Sequence, residues 1–130
     1  MTDESDEFRL ADDEPPTPVI VTSADVIYDE LRTICHHSLP GTSIPAPVAY
    51  KVLGSLKGVE WLLSQALGQL AAGLGKSLDT HDVYEYEDRD PVQSVATATD
   101  HLTRAAGLAR QLGVEIAQAQ DAIAGQGYRD

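Results

Sequence analysis

Leu53, Leu56, Leu63, Leu67, Leu70 and Leu74 recur in alternating steps of three and four, with one gap filled by Glu60. That spacing has the period of an α-helix and does not fit a strand, whose side chains alternate every two residues. In heptad terms the leucines are a and d residues, and Glu60 takes the a position in the gap. A helix is expected over about 47–78, with Pro47 in its first turn, where a missing N–H costs nothing. Gly54, Gly58, Gly68, Gly73 and Gly75 all fall inside it. Each costs about 1 kcal/mol relative to Ala, so close packing is the expected compensation. Gly54 and Gly58 are four apart, as are Gly68 and Ala72, on the side away from the leucines, where a second helix has room to approach. The alternative is that Gly73-Leu-Gly75 ends the helix early, which leaves 68–78 open between helix and loop.

A second repeat follows. Val95, Leu102, Ala109, Ile116 and Ile123 are seven apart, with Val92, Thr99, Ala106, Gly113 and Gln120 between them. Small residues at alternate seam positions permit a close interhelical approach. Asp90-Pro-Val-Gln93 reads as a cap, a first helical residue and a reciprocal capping-box residue, and Gly125 and Gly127 end the helix, which is expected over 91–124. Upstream, Thr22-Ser-Ala-Asp25 reads as a capping box flanked by Val21 and Val26. Ile27, Leu31, Ile34, Cys35 and Ser38 then share one face, predicting a shorter helix over 23–37 that Leu39-Pro-Gly ends.

The expected fold is therefore all-α: an antiparallel long helical hairpin with a shorter N-terminal helix. A chain of 130 residues has room for one modest domain, placed at 19–127. The packing is either a three-helix bundle or, because a hairpin alone has little core, a dimeric four-helix-type bundle.

Charge is concentrated in two places. The net value is −12, from 21 acidic and 9 basic residues. Residues 1–24 contribute seven acids against Arg9, and 79–90 contribute six against Arg89; the rest is nearly neutral. The first segment also carries Pro15, Pro16 and Pro18 and little to bury, so 1–18 is expected to be a disordered acidic tail. A direct grip on nucleic acid is disfavoured, since that affinity comes from Lys and Arg releasing counterions. The start, MTDESDEF, is acidic where a targeting peptide is basic, and no apolar run approaches the ~18 residues of a membrane span, so a cytoplasmic protein with no membrane partner is expected.

Several motifs carry possible chemistry. Gly73-Leu-Gly-Lys-Ser77 resembles the end of a phosphate-binding loop but has Leu70 where the first glycine belongs. Cys35-His36-His37 offers metal ligands or a thiol–imidazole pair, yet neighbouring histidines on a helix point about 100° apart. Cys35 is expected to be a small buried hydrophobe. No catalytic residue, cofactor or metal site is assigned. In the loop 79–90, Tyr84 and Tyr86 alternate with Glu85 and Glu87 beside Asp88, which gives one aromatic edge and one acidic edge. Together with Trp61, either a core anchor or an interface residue, and Glu60, these are the interaction candidates.

The function these features predict is a non-enzymatic interaction or assembly module, a homodimer joined through the helical seams. A basic protein surface is the other candidate partner. The alternatives are an acidic nucleic-acid mimic occupying the basic groove of a DNA-binding protein, and a small metal-binding or Cys/His-dependent enzyme. Glu60→Leu is expected to stabilise the assembly and loosen its register.

Overall fold

A computed structural model describes residues 17–129 of the chain. Among them the structure is helical with no strand: α1 (Val19–His36), α2 (Ala46–Thr80), a 3-10 turn (Tyr86–Asp88) and α3 (Pro91–Ala122). The expected acidic tail lies outside the described residues, apart from Thr17 and Pro18. The described residues divide into two compact units, with the boundary between Ser43 and Ile44.

Helix α1 begins four residues before its expected start. Thr22 does not cap it; its Oγ1 donates to the Val19 carbonyl at 2.9 Å, inside the first turn. Pro18 is the N-cap, and its carbonyl accepts from the N–H groups of Val21 at 3.0 Å and Thr22 at 3.4 Å. Proline pre-sets φ, here −58°, so the turn can close upstream of the Thr-Ser-Ala-Asp signal. None of α1's residues is buried, and Cys35, expected inside, is exposed. Beyond the helix, Gly41 has a φ of +92°, a backbone state that favours glycine and turns the chain after Leu39-Pro40.

Helix α2 starts from Pro45, whose carbonyl accepts from Val48 and Ala49, both at 3.0 Å, and Pro47 stands in its first turn as expected. It then runs unbroken through Gly73 and Gly75 to Thr80, so 68–78 is helix. Asp90 caps helix α3 as expected, its Oδ1 accepting from the Val92 N–H at 3.0 Å, but Gln93 makes no reciprocal bond among the described residues. Asp90→Ala removes that acceptor and is expected to cost about 1 kcal/mol, read as a lower thermal midpoint by circular dichroism.

Helices α2 and α3 pack against each other as an antiparallel hairpin. Tyr50 is level with Gln120, Glu60 with Gly113, and Ser64 with Ala106, so contacts early in α2 are late in α3. Two polar clasps hold this register. Ser64 Oγ donates to the Ala106 carbonyl at 2.9 Å, and Gln120 Nε2 donates to the Tyr50 carbonyl at 3.1 Å. Both donors are buried, where an unmade hydrogen bond costs about 1–3 kcal/mol, so a slipped register is penalised twice.

The α3 repeat faces the partner helix as its spacing predicts, with Ala106 and Ala109 buried and Val95, Thr99, Leu102, Gly113 and Ile116 half-buried; Val92 is the exception and is exposed. The α2 stripe departs from the leucines. Leu53, Leu56, Glu60 and Leu67 are half-buried, but beyond Glu60 the inward positions are Ser64, Ala71 and Gly75, while Leu63, Leu70 and Leu74 are exposed. A leucine repeat of 3.5 drifts about 20° per heptad against a straight helix of 3.6, which carries the contact one residue forward. Ser64 then meets Ala106 of α3.

Most of the α2 glycines are not in the close packing their spacing predicts. A Cβ on Gly58, Gly68, Gly73 or Gly75 would meet nothing within 4 Å, so no close packing accounts for them within the chain. Only Gly54, where a Cβ would come 2.8 Å from Gln120 Nε2, and Gly113, where it would come 3.3 Å from Glu60 Cβ, lie in close contact.

Candidate interaction surfaces

The hairpin seam is made largely of small and polar groups. Among the described residues only Ser64, Ala106, Ala109 and Gln120 are buried, and no large side chain is fully enclosed. Glu60 stands in this seam as its heptad position predicts, half-buried, with Oε2 enclosed and without a hydrogen-bond partner among the described residues. Its neighbour across the seam is Gly113, where an added Cβ would come 3.3 Å from Glu60 Cβ.

Trp61 is no core anchor. It is 64 % exposed on the outside of α2 and shares a shallow depression with Ser64, Gln65 and Arg110. Leu62, Leu63, Leu70, Leu108 and Leu112 are exposed as well. An isolated surface leucine needs no explanation, but these stand on two adjoining helices.

In the connecting loop Tyr84 and Tyr86 are 74 % and 79 % exposed, and their rings meet edge to face with centroids 5.7 Å apart. The two aromatics thus share an edge, as alternation predicts. Glu85 is half-buried; Glu87 is exposed, has a φ of 65°, and forms an open ion pair with Arg89 at 3.3 Å. Asp88 closes the 3-10 turn. An ion pair this exposed contributes little to stability, so the loop's conformation rests mainly on its backbone. The arrangement can present two tyrosine rings and flanking carboxylates to another surface.

The sequence candidates for metal or nucleophilic chemistry do not assemble into a site. His36 and His37 meet edge to face, 5.3 Å between ring centroids, beside Asp29, Arg32 and Thr33 in an open depression on α1. Among the described residues no three His, Cys, Asp or Glu side chains converge on a common point. Gly73–Ser77 lies within the continuous helix α2 rather than in a loop between strand and helix. Nor is any helix among the described residues long and apolar enough to cross a membrane.

Sequence reasoning missed Ser64. It stands beside Leu63 in the repeat, and the leucines outweighed it. The available signal was its four-residue step from Glu60, which continues the inward stripe once helical drift is allowed for.

The chain matches no protein-family profile, no curated protein and no solved structure.

Proposed function

We propose that the chain is a non-enzymatic helical assembly module that self-associates through its hairpin. The observation that carries this reading is the mismatch between the length of the hairpin and what it encloses. Helices of 35 and 32 residues bury two alanines, a serine and a glutamine between them, while leucines and a tryptophan stay in water. Fixing each backbone residue costs about 1–2 kcal/mol of conformational entropy, which folded domains offset mainly by burying large apolar side chains. Full burial of a leucine contributes about 1.5–3 kcal/mol, and here much of that contribution is still unused. Pairing two hairpins into a four-helix arrangement supplies it, and helix bundles are commonly completed in this way.

The test is absolute mass by light scattering behind size exclusion, at low and high salt. A salt-resistant species near twice 13.9 kDa is expected, because apolar contacts are not screened. Tyr84→Ala with Tyr86→Ala is expected to leave that mass unchanged. A monomer at 13.9 kDa under both conditions overturns the reading.

A further inference from the structure

The hairpin has two exposed sides, and they differ. At 100° per residue, Val48, Val52, Val59, Leu63, Leu70 and Leu74 fall within about 80° of arc on α2, and all six are exposed. Leu108 and Leu112 share an arc of about 40° on α3 and are exposed as well. Trp61 and Arg110 line one depression together, so they mark a common side of the hairpin. The valine–leucine arc on α2 is centred about half a turn from Trp61, and the Leu108–Leu112 arc about half a turn from Arg110. Both arcs therefore share the opposite side. The α2 arc is apolar throughout from Val48 to Leu74, the α3 arc adds Leu108 and Leu112 with His101 two turns away on the same line, and no Asp, Glu, Lys or Arg lies within either arc.

We infer that this face is the dimer interface and that its occupant is the same face of a second copy of the chain. The inference rests on the self-association proposed above and names its surface. Two observations favour a second copy. The first is area: from Val48 to Leu74 the arc is about 39 Å long at 1.5 Å per residue, and two helices side by side are about 20 Å wide. The outline of the hairpin over that length is roughly 800 Å², room for an interface of the usual size of about 800 Å² per partner, with α2 supplying most of its apolar part. The second is charge. Each copy carries −12, most of it in residues 1–24 and 79–90, so an uncharged face lets two acidic chains meet without opposing carboxylates at the contact. A two-fold contact is self-complementary by construction, and apolar side chains contributed by both helices suit one.

Three chains test this by mass and by cross-linking: the unaltered protein, Leu63→Arg with Leu108→Arg, and Trp61→Ala with Arg110→Ala. The expected result is a dimer for the first and third and a monomer for the arginine pair. Circular dichroism reports whether that pair keeps its helices. If it does not, cysteine cross-linking decides. In a Cys35→Ser background, Leu112→Cys is expected to link two chains through a short bis-maleimide, and Trp61→Cys is expected to leave them separate. An unaltered dimer linked through Trp61→Cys and not through Leu112→Cys overturns this face while self-association stands. An unaltered monomer overturns both, and protection of Leu112→Cys from labelling in that monomer would put another segment of the same chain over the face.

Discussion

Gly58→Ala, Gly68→Ala and Gly73→Ala combined are expected to raise the thermal midpoint, whereas Gly54→Ala alone is expected to lower it. All four residues lie in α2, so each exchange brings the same gain in helix propensity, about 0.5–1 kcal/mol. What differs is the space. A Cβ at positions 58, 68 or 73 meets nothing within 4 Å, so the gains should accumulate to about 1.5–3 kcal/mol. For a unit of this size that is on the order of 10 °C. At position 54 the new Cβ comes 2.8 Å from Gln120 Nε2, the amide that donates to the Tyr50 carbonyl at 3.1 Å. Pushing that amide aside leaves a buried donor without its acceptor, a cost of about 1–3 kcal/mol that outweighs the propensity gain. Scanning calorimetry separates the cases. A rise at Gly54→Ala equal to that of the other glycines would mean that Gln120 swings out freely and does not clasp the helices. A triple variant that melts higher yet loses its dimer mass would assign the open glycines to close approach by a second chain.

Most of the architecture is legible in the sequence because helix period and helix ends are local properties. The leucine steps give α2, the seven-residue repeat gives α3, and Asp90-Pro91 marks its start within a residue. The N-terminus of α1 lies four residues upstream of its expected place because backbone geometry at Pro18 closes the first turn before the Thr22 signal is reached. The seam was harder to read. Whether Leu63 or Ser64 faces α3 turns on a 100° difference, and that is settled by which residues α3 presents. Its Ala106 offers a carbonyl and little volume, so Ser64 takes the inside and Leu63 moves to the flank. A heptad pattern scores the leucines as core because it counts hydrophobicity and leaves out the volume of the opposing residues. The interaction candidates divide in the same way. The exposed tyrosine edge follows from alternation in a short loop, whereas Trp61's exposure follows from tertiary contact and has no local signature.

Glu60→Leu is the other substitution expected to have a large effect, and it asks what a carboxylate is doing in an apolar repeat. Glu60 Oε2 is enclosed without a hydrogen-bond partner among the described residues, and an unsatisfied buried acceptor costs about 1–3 kcal/mol. Leucine has similar volume, restores the interrupted repeat and removes that cost. The midpoint should therefore rise by an amount corresponding to about 1–3 kcal/mol, with Glu60→Gln recovering a smaller part because a polar end stays enclosed. Buried polar groups in helical seams can specify register at the expense of stability, and on sequence alone the leucine variant should become looser. The structure adds the clasps from Ser64 to Ala106 and from Gln120 to Tyr50, which hold the same alignment independently. Glu60→Leu alone should thus keep one set of amide signals in a heteronuclear NMR spectrum. Glu60→Leu with Ser64→Ala should show line broadening or a second set. A doubled spectrum in the single variant would mean that the carboxylate, and not the clasps, specifies how the helices align. A single set in the double variant would mean that Gln120 and the small residues of α3 specify it without either.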